Sequence, residues 1–233
     1  MKHIVTFEKI FPKNILAFTT DRAADFHFKK STPILNRAQK IFLKSHAGLD
    51  SAALFNIQQI HGRRTVLGRP HQAEILKADA SITNIPGVAL TVRTADCLPV
   101  FLYDSKHKAI GIVHAGWKST DKRIVIHALK AMKRKYRTQY KDVKVAFGPA
   151  MHVCCFETDR TFLRRFPEDT VLEGGKFYFD NAAANKRQLA SLGVVPKNIY
   201  DKRVCTYCNK QFFSYRRDGK DTGRILSVIM LKI

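Results

Sequence analysis

Three side chains of this 233-residue chain stand out for the chemistry they could do: His61 in "QQIHGRR", Cys97 in "RTADCLPV" and His114 in "VHAGWKS". Each lies at or near the end of an apolar, strand-like run beside a small or turn-forming residue, so its side chain can project into a cleft. Two imidazoles and a thiolate make a good zinc shell. Three protein ligands with the fourth position left open is the pattern of catalytic zinc rather than structural zinc. Spacing alone leaves a second reading open, a packed cysteine and two satisfied core histidines, because ligands this far apart lack the signature of a short metal motif.

Cys205 and Cys208 in "CTYC" form a more familiar-looking pair. A zinc ribbon needs a second pair at matching spacing, however, and Cys154 and Cys155 are adjacent. A thioredoxin-like redox pair opens a helix after a strand, whereas "CTYCNKQFFSYRRDG" reads as loop and turn. These thiols are therefore expected to be structural and to leave metal content unchanged when replaced. Further on, "FFSYRRDGKDTGR" sets Arg216, Arg217 and Arg224 around the turn residues Asp218, Gly219 and Gly223. Guanidinium forks suit phosphate or carboxylate, and a solvated turn whose arginines pair with nearby acids fits the same spacing.

The elements that must position these groups follow from hydrophobic pattern. Strand-like runs occur at "ILAFTT", "ALFNIQQIHG", "GVALTVRT", "LPVFLYD", "AIGIVHAG", "VKVAFGP", "FYFD" and "GRILSVIMLKI"; their Val, Ile and Phe content with Gly and Pro punctuation predicts strands. The clearest helix is expected after Trp117, with Ser119, Thr120 and Asp121 as N-cap candidates and Val125, Ala128, Leu129, Met132 and Tyr136 at helical spacing. Shorter helices are expected over 159–166 and 181–192, the second closed by Gly193 as a left-handed stop. Gly116 is expected to let the chain turn sharply behind His114, with Trp117 packing the corner. No linker, repeat or low-complexity segment interrupts the chain, so one mixed α/β domain over residues 1–233 is expected.

Composition limits the function classes. With 45% hydrophobic residues the chain has ample material for a core, which excludes a disordered chain. The first eighteen residues are punctuated by Glu8, Lys9 and Lys13 and lack the continuous apolar segment of a signal peptide, and no run approaches the length of a membrane span. Five cysteines, an odd number in such clusters, do not read as a secreted disulfide framework. A cytoplasmic protein with reduced thiols is expected. Lys plus Arg number 41 against 19 Asp plus Glu, a net charge of +22. Such a field attracts nucleic acid and phosphate-bearing small molecules. The basic residues are scattered, and the densest group, "KRIVIHALKAMKRKYR", carries its charges on the polar face of a helix. A solvated basic surface follows, with nucleic-acid binding at most weak and non-specific.

Taken in order, "QQIHG", "ADASIT", "VRTADCLPV", "GIVHAGWKS", "FGPAMHVCCFE", "CTYCN" and "FFSYRRDGKDTGR" closely resemble the family long described as multi-copper polyphenol oxidases, or laccase-like proteins, and now regarded as purine nucleoside phosphorylases. The likeness runs from about Gln59 to the C-terminus. It implies a mixed α/β fold of packed β-sheets flanked by helices, and a metal-binding active site formed by His61, Cys97 and His114. The family's N-terminal Arg-x-Gly-Gly-Val-Ser segment has only a partial counterpart here, "FTTDRAADFHF", whose Arg22 becomes the expected substrate or phosphate contact, with Arg216 next.

The resemblance implies zinc-dependent phosphorolysis of adenosine, inosine and guanosine to free base and ribose 1-phosphate, together with adenosine deamination and cleavage of methylthioadenosine. Zinc with an open position activates water for attack at the purine C6 in deaminases. Phosphorolysis needs phosphate held under the ribose, which makes purine nucleosides and inorganic phosphate the expected partners. Asp96, beside Cys97, is expected either to orient a ligand histidine or to move a proton. Copper is the alternative metal, since a His₂Cys site accepts it. The nine histidines include no pair two residues apart, so a multi-copper oxidase centre cannot be assembled. The remaining readings are a copper-dependent polyphenol oxidase working through a single ion, a peptidoglycan-editing hydrolase and a basic nucleic-acid-binding protein.

Overall fold

A computed structural model describes residues 3–27, 35–71 and 74–233. Its long strands are apolar at nearly every position because each has a buried neighbour on both faces. In Leu98–Asp104, Leu98, Val100 and Leu102 face one core while Phe101 and Tyr103 face another. Ala109–Ala115 divides the same way, with Val113 on the first side and Ile110 and Ile112 on the second. This is the period of two on a strand buried from both sides.

Those two strands lie at the middle of a six-stranded sheet ordered Ile199–Asp201, Val143–Phe147, Leu98–Asp104, Ala109–Ala115, Ala80–Thr83 and Thr65–Leu67. A five-stranded sheet, ordered Ile4–Thr6, Ile15–Thr20, Ile225–Leu231, Ala89–Thr94 and Leu54–Phe55, packs against it. Phe7, Ala17, Leu90, Val92 and Ile229 from its side meet Phe101, Ile110 and Ile112 in the shared core. The helices Ile124–Tyr136 and Asn181–Ser191 cover the outer face of the larger sheet through Val125, Ala128, Leu129, Met132 and Leu189. Phe42 and Leu43 of the helix Arg37–Ala47 cover the outer face of the smaller one, against Phe18, Leu226 and Val228. The expected α/β architecture of packed sheets flanked by helices is the one found.

Several elements differ from expectation. The run "ALFNIQQIHG" is not one strand: Leu54–Phe55 joins the five-stranded sheet while Ile57–Gln58 pairs with Leu76–Lys77 elsewhere, the chain breaking at Asn56, which accepts the Thr91 hydroxyl proton. The helix near Trp117 begins at Trp117 itself, ends at Asp121, and restarts as Ile124–Tyr136 after Arg123 adopts a left-handed φ of 58°. Ser119 and Thr120 are therefore buried inside the short helix rather than capping it. Asn181–Ser191 matches expectation, and Gly193 follows it at φ 91°. The helix Arg37–Ala47 went unread in the sequence although it carries a complete capping box, Asn36 with Gln39, and a left-handed Gly48.

Candidate metal centre

The hairpin of Leu98–Asp104 and Ala109–Ala115 pairs His114 with Pro99 and Ala115 with Leu98. Cys97, one residue before its strand, is thereby brought beside the end where His114 stands. His61 arrives from a separate loop, and the buried carboxylate of Asp79 holds it there. That carboxylate accepts the backbone N–H groups of Ile60, His61 and Gly62 at 3.3, 2.9 and 2.6 Å. It also lies 2.8 Å from His114 Nδ1, and the Asp79 carbonyl accepts the His114 N–H at 2.7 Å. The strap fixes His61 at a left-handed φ of 53°, a conformation a histidine adopts only when its surroundings over-determine it.

The metal-capable atoms of His61, Cys97 and His114 all lie within 4.8 Å of one another, and the two imidazole centroids are 4.8 Å apart. Asp79 engages Nδ1 of His114, which leaves Nε2 to ligate, the carboxylate–histidine–metal arrangement in which the outer partner fixes the ring. Burial, aided by the positive charge of His114, pushes the His61 pKa down to about 4, so this imidazole is neutral and ready to donate a lone pair. Burial opposes protonation of His114, but the neighbouring Cys97 sulfur and the Asp79 carboxylate outweigh it and raise the pKa to about 9. For Asp79, burial is likewise outweighed by the His114 bond and charge and by the Gly62 and Ile60 amides, which lower its pKa.

Gly116 is needed for space rather than for turning. Its φ is −68°, open to any residue, but a Cβ there would lie 2.9 Å from Cys97 Sγ and 3.0 Å from His61 Nδ1. His61 and Cys97 close over a position that lacks a side chain. A two-nitrogen, one-sulfur donor set with room kept clear between its members fits a zinc or copper ion. Trp117 packs on Phe162 with centroids 5.1 Å apart and also lines the cavity that His61, Cys97 and His114 face.

That cavity measures about 830 Å³ and brings His61, Cys97 and His114 together with Asp96, Arg93, Arg216 and Arg224, within the size range of small-molecule sites. Asp96 accepts the Thr206 hydroxyl and the Arg216 backbone N–H, both at 2.7 Å. Orienting His114, one of the two roles expected of Asp96, is performed by Asp79 instead. Arg216 donates through both terminal nitrogens to the Glu157 carbonyl. Arg22 lies outside the cavity lining, over the Phe213 ring and bonded to the Lys210 carbonyl. Arg217 is tied to Asp218 and to the carbonyls of Thr206, Tyr207 and Phe212. The sequence reading missed Arg93, whose pKa burial and the nearby Arg224 charge depress to about 10. Its signal was a lone charged residue on a mostly buried strand, four residues before Cys97. Asp79 was also missed, although it is the second residue of the quoted "ADASIT".

A second cluster was not expected. Cys154, Cys155, Cys205 and Cys208 converge with their sulfurs all within 4.8 Å of one another. The spacing argument missed it because a parallel bridge between Ala150 and Cys205 joins two segments some fifty residues apart.

A family model described as "Multi-copper polyphenol oxidoreductase laccase" matches residues 32–232. A "Purine nucleoside phosphorylase" of Borreliella burgdorferi is 39% identical over 150 residues, 60% of this chain and 64% of that protein. An "Adenosine deaminase RL5" from an unknown prokaryotic organism is 33% identical over 171 residues, 69% of this chain and 65% of that protein. The chain thus spans just under two thirds of the length of each of these relatives. Among solved structures, the hypothetical protein YfiH of Bacillus licheniformis superposes with a TM-score of 0.86 at 22% identity, over 100% of this chain and 97% of that one, a likeness of fold.

Proposed function

This chain belongs to the multi-copper polyphenol oxidoreductase laccase family, and from that premise we propose that it is a zinc-dependent purine nucleoside phosphorylase. Its substrates are adenosine, inosine and guanosine, with adenosine deaminase and methylthioadenosine phosphorylase as further activities. The observation that carries this reading is the meeting of His61, Cys97 and His114 with Arg93 and Arg224 in one cavity. The names of the two relatives, a nucleoside phosphorylase and an adenosine deaminase, support the same pair of reactions.

His61, Cys97 and His114 would hold the metal, which supplies a Lewis acid at the cavity wall. The neighbouring positive charges of Arg93 and Arg224 repel each other, and a phosphate between them relieves that repulsion while accepting bidentate hydrogen bonds. In phosphorolysis a phosphate oxygen bonds to C1′ of the ribose. The glycosidic bond breaks with its electron pair passing to the base, which takes up a proton. The arginines position the attacking phosphate and stabilise its charge. Phe156 and Tyr215, also on the cavity wall, offer aromatic faces for a purine. Asp96 holds the backbone of Arg216 and the turn before Cys97, which makes it a positioning residue.

The oxidase reading has little support. Among the described residues, His61 and His114 are the only histidines in a metal-capable cluster, whereas a multi-copper centre needs many more. Incubating adenosine with the pure protein tests the proposal. Adenine and ribose 1-phosphate are expected only when phosphate is present, with inosine formed in its absence. Adenosine left untouched in both conditions overturns it.

A further inference from the structure

We propose that Cys154, Cys155, Cys205 and Cys208 form a second metal site, a tetrathiolate that takes a soft divalent ion, zinc above all, and fastens two loops together. Four thiolates with no other ligand is the donor set of a closed structural zinc site, unlike the open three-ligand set of His61, Cys97 and His114. A tetrahedral ion with bonds of about 2.3 Å needs sulfurs roughly 3.8 Å apart. Here Cys208 Sγ lies 3.9 Å from Cys154 Sγ and 3.2 Å from Cys155 Sγ, with all four sulfurs inside 4.8 Å. An ion at the centre requires the closest pair, at 3.2 Å, to open by about 0.6 Å and any pair at the 4.8 Å limit to close by about 1 Å.

The surroundings are those of a thiolate site rather than a packed core. Cys154 and Cys208 are exposed, which gives an ion a way in. The backbone N–H groups of His152, Cys208 and Tyr207 are directed at the Cys205 sulfur. Amides converging on one sulfur within a Cys-x-x-Cys turn stabilise a ligating thiolate. Four thiolates around a divalent cation carry a net negative charge, and the Arg217 guanidinium lies against the carbonyls of Thr206 and Tyr207 within the same turn.

The fastener reaches the first site. Between the two cysteines of the turn, Thr206 donates its hydroxyl to Asp96 and its N–H to the Ala150 carbonyl. On the other loop, Met151 N–H donates to the Asp96 carbonyl. Both loops held by the proposed ion therefore grip the residue next to Cys97.

Zinc is measured in the full chain purified without chelator from zinc-supplemented cells. About two equivalents are expected, with the Cys154→Ser/Cys208→Ser variant losing one and the His61→Ala/His114→Ala variant losing the other. Zinc lost from the cysteine variant and kept in the histidine variant supports this site whatever becomes of the first. Equal zinc in the wild type and the cysteine variant overturns it. If the cysteine variant does not fold, the His61→Ala/His114→Ala chain is stripped and titrated with cobalt(II). Intense thiolate-to-cobalt charge transfer with tetrahedral ligand-field bands is expected at one equivalent. A weak octahedral spectrum, or disulfides joining these cysteines in the protein as isolated, overturns the proposal.

Discussion

At the scale of single residues, two predictions separate space from charge. A methyl group at position 116 would sit 2.9 Å from Cys97 Sγ, so Gly116→Ala should empty the first metal site while the backbone φ remains allowed. The expected result is loss of that equivalent of metal and at least about a tenfold fall in turnover with an unchanged circular dichroism spectrum. Retained metal would show that the ligands can yield. The second concerns the phosphate. Arg224→Ala should raise the KM for phosphate about tenfold or more, the equivalent of one lost charge-assisted hydrogen bond, and leave phosphate-independent deamination much less affected. Arg22→Ala should move the phosphate KM less than Arg224→Ala does, since Arg22 lies over Phe213 outside the cavity. The two arginines expected from the sequence to touch substrate were Arg22 and Arg216. The cavity adds Arg93 and joins it to Arg224, one of the guanidinium forks marked in the sequence, through the pairing of Ile225 with Thr94 and Leu226 with Arg93.

The element that matters most is the hairpin, because its register sets Cys97 against His114. Its far end is secured by Asp104, whose buried carboxylate accepts the N–H groups of Lys106 and His107 and lies 2.7 Å from His107 Nδ1. Burial would raise the Asp104 pKa, but Thr138 and His107 together hold it below the ordinary carboxylate value. A depressed folded-state pKa contributes stability that is fully present above the unfolded value, near 3.9, and is lost as pH falls through the folded one. Asp104→Asn should therefore cost roughly 1–3 kcal/mol at neutral pH by leaving buried donors poorly paired. The deficit should shrink in thermal melts below about pH 4. A deficit independent of pH would assign the cost to packing. The hairpin itself was legible, since "LPVFLYD" and "AIGIVHAG" flank a short polar turn. Two-residue strands such as Leu76–Lys77 were not, because so short a run shows no period. The thiol cluster was hidden for a different reason: two loops distant in sequence meet only once the Ala150–Cys205 bridge forms.

Over the whole molecule, the apolar runs made the strands and a mixed α/β domain readable, whereas the layering of helices on packed sheets was implied only by the family resemblance, because a run covered on both faces does not tell which sheet it joins. The +22 charge is a property of the same scale. Weak, sequence-indifferent retention on RNA or DNA at low salt is expected, falling steeply by about 0.2 M; tight binding that persists there would favour a nucleic-acid function. Among the described residues no helix is long and apolar enough to cross a membrane. One small feature has reach beyond its size. Asp79 holds the His61 and Gly62 amides and the His114 ring with a single carboxylate, so neither partner can be released without loosening the other. In deuterated solvent, the amides of His61 and Gly62 should exchange through one shared opening, with matched protection that disappears together as the local structure loosens. Widely different protection at the two amides would mean that the loop and the strand open separately, and that the metal site is assembled from parts that move on their own.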